Sequence, residues 1–141
     1  MKNETRIKKA FNEYNGKNPE VLDKFYHEDV VFEDPITRVE GIEELKKYYK
    51  HAYGNVKSIE FVFKNIIESG ENYTCEWDMI LRAKMLNFGK EISVRGLSLL
   101  TFDAETSKVI KHHDYLDLGD MVYERVPVVS TLIKALKSQL S

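Results

Sequence analysis

The chain holds a single cysteine, Cys75, which excludes an internal disulfide and any multi-cysteine zinc site. Only three prolines and seven glycines are present and no stretch is rich in them, which excludes a collagen-like or linker-divided chain. Neither sign of charge dominates. Lys and Arg number 21 against 23 Asp and Glu, and a net charge of −2 excludes the strong field that gathers nucleic acid or an anionic membrane. No apolar run approaches the roughly 20 residues needed to span a bilayer. The opening MKNETRIKKAFNEY lacks the uninterrupted apolar stretch of a secretory signal. No internal repeat is visible. These absences predict one cytoplasmic domain over residues 1–141, with no nucleic-acid and no membrane partner.

What is present reads as helices first and strands later. Ile7, Ala10, Phe11 and Tyr14 recur at helical spacing, and Gly16 follows as a stop. Asn18 and Pro19 suit the start of a second helix, as cap and first-turn residue, with Val21, Leu22, Phe25 and Tyr26 along one side. A short strand, Val30 to Asp34, stops at Pro35. A third helix is predicted from about Gly41 to Tyr53. Glu43 and Glu44 stand at its start and Lys46, Lys47 and Lys50 later, the order that the helix dipole favours. Ile42, Leu45, Tyr49 and Ala52 give it an apolar stripe.

From Val56 the period changes. Four long segments, roughly 56–68, 73–86, 90–102 and 108–118, are rich in β-branched and aromatic residues and divided by short turns. They predict a four-stranded antiparallel meander. Strands much longer than the usual five or six residues imply a sheet coiled strongly around something. Pro127 opens a last helix, about 127–139, whose Val128, Val129, Leu132, Ile133 and Leu136 share one face; it is expected to cover a pocket mouth. The predicted fold class is α+β: a cone-shaped curved antiparallel sheet wrapped around N-terminal helices, with a C-terminal capping helix.

Alternation divides the strand chemistry between two faces. In the second long strand Tyr73, Cys75, Trp77, Met79 and Leu81 are apolar, while Thr74, Glu76, Asp78 and Arg82 are polar. Taken alone, this puts the odd positions in a core and the even ones in water. The next strand is mixed, with Ile92, Val94, Leu100 and Phe102 on one face and Leu97 and Leu99 on the other. A face carrying Trp77, Met79, Leu97, Leu99 and Tyr115 would be a large apolar patch on a monomer, and such patches mark interfaces. A homodimer through the sheet is therefore expected.

The stretch His27-Glu28-Asp29-Val30-Val31-Phe32-Glu33-Asp34-Pro35, followed by Val39-Glu40-Gly41-Ile42, resembles the SnoaL-like, nuclear transport factor 2 superfamily. The later string Val109-Ile110-Lys111-His112-His113-Asp114-Tyr115-Leu116-Asp117 is similar to that superfamily's final strand, and the order of elements agrees over about residues 5–118. The motifs speak for the fold. They do not select a chemistry, because the superfamily includes isomerases, hydrolases, cyclases and carriers. By resemblance, Asp34 stands where ketosteroid isomerases hold their general base, while Ala10 and Ser98 occupy the places of their oxyanion tyrosine and aspartate. Asp78 and Asp114 match the two aspartates of limonene epoxide hydrolase, with Glu76 in place of its arginine and Phe32 in place of its tyrosine. Asp114 is also the counterpart of the acid/base aspartate of SnoaL-like cyclases.

These comparisons imply a concave wall bearing Phe32, Asp34, Thr74, Glu76, Asp78 and Ile80, together with Val94, Ser98, Leu100, His112, Asp114 and Leu116. Carboxylates crowded into a low-dielectric hollow suit acid/base work. The function so implied is a small-molecule pocket acting on a small apolar substrate as an isomerase, hydrolase or cyclase. Asp34, Asp78 and Asp114 would be catalytic, and Phe32, Glu76, Ser98, Leu100, His112 and Leu116 would bind. The alternatives are a non-catalytic binder, or a dimeric interaction module using the outer sheet. No cofactor is expected, and no metal: Glu76, Asp78, His112 and Asp114 agree with a metal site in residue type but form no tight ligand motif. Plainer roles stand beside these, with Asp34 as a turn residue, Glu76 and Asp78 as solvated strand residues, and His112 with Asp114 as a structural pair.

Overall fold

In the computed structural model, which describes residues 2–84, 89–117 and 119–120, the order is α1 (Lys2–Glu13), α2 (Glu20–Phe25), β1 (Tyr26–Glu33), β2 (Arg38–Glu40), α3 (Ile42–Ala52), β3 (Val56–Ser69), β4 (Asn72–Ala83), β5 (Ile92–Phe102) and β6 (Val109–Leu116). The helix expected at 127–139 lies outside the described residues. Among the described residues no helix is long and apolar enough to cross a membrane.

The long strands pair as the predicted antiparallel run, β3 with β4, β4 with β5 and β5 with β6, and the curved sheet continues past it in the order β2-β1-β6-β5-β4-β3. β1 lies parallel to β6, with Phe32 beside His112, so the sheet is mixed and not wholly antiparallel as expected. About half of the chain separates these two strands, and no hairpin dictates their relative direction. Two local expectations also change. Asn18 does not cap α2. Its Oδ1 accepts the Asn15 N–H at 2.8 Å and its Nδ2 donates to the Glu13 carbonyl at 2.9 Å, which braces the bend between α1 and α2. Tyr26 leaves the helix with extended backbone and opens β1. The third helix follows its charges, with Glu43 and Glu44 in the first turn and Lys50 and His51 in the last.

The concave face of the sheet closes over the helices. Tyr73, Cys75 and Trp77 of β4, Leu100 of β5 and Phe32 of β1 pack with Ile7 of α1, Tyr14 just after it, Leu22 and Phe25 of α2, and Leu45 of α3, all buried.

The placement of β4 overturns the wall implied by resemblance. Trp77 pairs with Gly96, Cys75 with Ser98 and Tyr73 with Leu100, so odd residues of β4 share the inner face with even residues of β5. Between β5 and β6 the even residues meet, Ser98 opposite Asp114 and Leu100 opposite His112. Trp77 and Met79 therefore face inward, and Thr74, Glu76, Asp78 and Ile80 face outward. Simple alternation had this right for β4. A one-residue change of register reverses every side chain of a strand, and here space settles the matter. The indole of Trp77 lies over Gly96, where a Cβ would come within 2.6 Å of Trp77 Cζ3 and 2.8 Å of the Tyr115 carbonyl oxygen.

Candidate functional site

β6 carries two polar residues on the inner face, His112 and Asp114, two apart and thus on the same side of the strand. A buried histidine needs partners for both ring nitrogens. His112 has them: Nε2 lies 2.6 Å from Asp114 Oδ1, and Nδ1 lies 2.7 Å from the Tyr26 hydroxyl. Tyr26 in turn meets the Tyr49 hydroxyl of α3 at 3.1 Å. From the other side, Ser98 Oγ donates to Asp114 Oδ1 at 2.5 Å and accepts the Trp77 indole N–H at 3.0 Å.

Donors and acceptors along this chain fit one assignment. Burial, with smaller contributions from the negative charge of Asp114, raises the Tyr26 and Tyr49 phenols well above their ordinary value, so both stay protonated. With His112 as the Nε2–H tautomer, Tyr49 donates to Tyr26, Tyr26 to His112 Nδ1, and His112 to Asp114. Ser98 donates to the same oxygen, and Trp77 donates to Ser98. A doubly protonated His112 would reverse the tyrosines and leave the Tyr49 proton with no acceptor among the described residues. Asp114 Oδ1 thus accepts from His112 and Ser98, with Tyr26, Tyr49 and Trp77 standing behind them, while Oδ2 takes no hydrogen bond among the described residues.

Asp114 and His112 border a cavity of about 40 Å³ between the sheet and the helices. One water needs roughly 10–15 Å³ by this measure, so there is room for about three waters or one small organic group. Aromatic rings form most of the remaining wall: Phe11 of α1 and Tyr14 just after it, Phe25 of α2, Tyr26 of β1, Tyr49 of α3 and Tyr53 just after it, and Phe61 of β3. Phe11 and Tyr26 lie nearly parallel to the imidazole of His112, at 5.6 and 5.7 Å, and Phe32 stands edge-on to it at 4.9 Å. Burial also raises the phenols of Tyr14 and Tyr53. Neither hydroxyl takes a hydrogen bond among the described residues, so two protonated donors border the same space as Asp114.

Of the residues expected at the site, His112, Asp114 and Ser98 come together, with Phe32 and Leu100 buried around them and Leu116 packed at the edge of the core. Asp34 stands elsewhere. It follows β1 at the turn into β2, where Oδ1 accepts the Ile36 and Thr37 backbone N–H groups at 2.9 Å each and Oδ2 accepts the Tyr48 hydroxyl. These bonds give it the turn role that its place before Pro35 also suggests, and it does not border the cavity. Glu76 and Asp78 lie on the outer face, paired with Lys64 at 3.7 and 3.3 Å. The sheet separates them from His112 and Asp114, and among the described residues no three His, Cys, Asp or Glu side chains gather as a metal-ligand set.

Sequence reasoning missed Tyr26, Tyr49, Tyr14, Tyr53 and Trp77 as parts of the site. Alternation through Tyr26, Val30 and Phe32 was the available signal for the first. For Trp77 the signal was the apolar face of β4 taken at its word. The Cys75 thiol, next to this network, is pushed up to about 12 by burial and then by the Asp114 charge, which suits an inert packed residue.

A family model for the SnoaL-like domain matches residues 7–112. No curated protein gives a significant match. Among solved structures, a proposed SnoaL-like polyketide cyclase from Shewanella denitrificans is 24% identical at a TM-score of 0.69, covering 81% of this chain and 87% of that one. An LEH-like epoxide hydrolase from M. tuberculosis is 18% identical at a TM-score of 0.68, covering 93% and 97%. A protein of ketosteroid isomerase-like fold from Catenulispora acidiphila, in complex with trimethylamine, is 16% identical at a TM-score of 0.73, covering 89% and 93%. At these identities the likeness establishes the fold and leaves the reaction open. The curved sheet closed over N-terminal helices and the family match along most of the chain agree: this protein belongs to the SnoaL-like domain family.

Proposed function

We propose that the cavity is a small-molecule site in which Asp114 acts as general acid/base. One observation carries this reading: a carboxylate held at Oδ1 by His112 and Ser98 and unbonded at Oδ2, at the wall of an aromatic cavity. A base fixed in position and partly desolvated can take a proton from carbon or from water and return it. The hydroxyls of Tyr14 and Tyr53 supply donors for an oxygen on which charge develops. His112, Tyr26 and Tyr49 hold the carboxylate in place. Neighbours of this fold named as a polyketide cyclase and an epoxide hydrolase support an acid/base reading, and the neighbour holding trimethylamine supports a ligand of the size this cavity admits.

The test uses small ketones and small epoxides incubated with the protein in heavy water, with deuterium uptake and diol formation followed by NMR. The protein is expected to accelerate at least one of these over buffer, and Asp114→Asn to lose about 10²–10⁴-fold of that acceleration. Equal rates for the two proteins would remove Asp114 from the chemistry. A non-catalytic binder is the second reading, favoured because Asp34, Glu76 and Asp78 do not border the cavity and leave Asp114 as its one carboxylate among the described residues. Ligands that bind there and return unaltered would favour it.

For the assembly we propose a homodimer through the outer sheet face. Val62, Ile67, Leu99 and Tyr115 are 44, 57, 40 and 49% exposed there, an apolar group that supports contact with a second copy.

A further inference from the structure

Among the described residues, the cavity sets one carboxylate amid aromatic rings and offers it no cationic side chain: the described lining includes neither lysine nor arginine. Arg6, Lys9 and Lys24 line a neighbouring surface groove with Glu13, and none of them lines the cavity. The donors that reach Asp114 Oδ1, from His112 and Ser98, are neutral in the assignment above, so they orient the charge without cancelling it. A carboxylate in such surroundings favours a cation beside it. The faces of Phe, Tyr and Trp rings attract cations as well, most strongly where water is excluded. Seven rings and one anion therefore ask for the same ligand chemistry.

We infer that the cavity receives a small alkylammonium group, its positive charge on Asp114 and its methyl or methylene carbons against Phe11, Tyr14, Tyr49 and Tyr53. This rests on the cavity being the ligand site and does not require Asp114 to move a proton. Alkylated nitrogen suits the site better than a bare metal ion. It is large enough to touch several rings at once, it is weakly hydrated, and among the described residues the cavity holds no second carboxylate to complete an inner coordination sphere. The volume matches a group of a few heavy atoms, with any remainder of the ligand extending through the mouth.

The chain has one tryptophan, and its indole N–H donates to Ser98, which donates to Asp114. The Trp77 indole N–H resonance therefore reports on the carboxylate. We would titrate the full chain with tetramethylammonium chloride, with tert-butanol as a neutral molecule of the same heavy-atom count, and with sodium chloride for ionic strength. The expected result is a saturable indole shift with tetramethylammonium at an apparent Kd at least about tenfold below that of tert-butanol. Asp114→Asn, which keeps the Oδ1 acceptor and loses the charge, should weaken tetramethylammonium by about tenfold or more, and Phe11→Leu by several fold. A preserved indole resonance and circular dichroism spectrum would show both variants folded.

Equal or tighter binding of tert-butanol, or undiminished tetramethylammonium binding by Asp114→Asn, overturns the charge preference and leaves the cavity standing as a ligand site. No saturable shift with either molecule overturns the inference together with the cavity on which the proposed function depends.

Discussion

His112 is the residue on which the inner polar chain turns. Both of its nitrogens are engaged and its ring is buried, so its loss takes one hydrogen bond from each of two groups: the Tyr26 hydroxyl, left with Tyr49, and the Asp114 carboxylate, left with Ser98. A lost neutral hydrogen bond costs about 0.5–1.5 kcal/mol and one to a charged group about 1.5–3 kcal/mol. His112→Phe fills the space without replacing either bond and is expected to cost about 2–4 kcal/mol in urea unfolding. A loss below about 0.5 kcal/mol would mean that the bonds contribute nothing net. The tyrosines make a second test. Because the folded state holds the Tyr26 and Tyr49 protons more tightly than the unfolded chain does, their contribution to stability is complete below the unfolded value near pH 10. It is lost as pH rises from there through the raised values. Tyrosinate absorbance and circular dichroism followed together should show these two ionising only as the fold is lost. A single ionisation step near pH 10 with an unchanged fold would contradict the buried network. His112 and Asp114 could be seen as a pair in the sequence, since two residues apart on a strand means one face. Tyr26 and Tyr49 could not be joined to them, because each reaches the imidazole from a different element.

The strand β4 shows how far alternation carries and where it stops. The odd residues Tyr73, Cys75 and Trp77 read as a core face and form one. The even residues of β5 and β6 read as one shared wall, and Ser98 does meet Asp114. The relation between β4 and β5 was not legible. It depends on how many residues the connection after Ala83 consumes, and a single residue more or less exchanges the two faces. In the structure Gly96 lies opposite Trp77 and leaves room for its indole ring. Gly96→Ala would place a methyl against the indole ring and the Tyr115 carbonyl. Overpacking of this kind costs about 1–3 kcal/mol, and the backbone oxygen leaves little room for relief. Urea unfolding should show that loss and a changed Trp77 fluorescence. An unshifted midpoint would mean that the indole moves aside freely. The same register explains why Glu76 and Asp78 pair with Lys64 on the outside and take no part in the cavity.

The curved sheet gives the protein two surfaces, one closed over the helices and one turned outward. On the outward side Leu99 is exposed, as are Val62, Ile67 and Tyr115. If a second copy covers this face, Leu99→Glu introduces a charge into the contact. Sedimentation equilibrium should then find a dimer for the parent chain and a monomer for the variant, with unfolding stability changed by less than about 1 kcal/mol. A parent chain that sediments as a monomer would refute the dimer.

The sequence by itself determined the helix-then-strand order, the α+β class, the long strands that force a sheet to coil, and the family likeness. All of these depend on residues close together in the chain. Strand register, the parallel seating of β1 beside β6, and the meeting of Trp77, Ser98, Asp114, His112, Tyr26 and Tyr49 were decided only by the tertiary structure. The physical reason is that a hydrogen bond or a packing contact between distant segments depends on where each strand stops along its neighbour, and no local preference encodes that position.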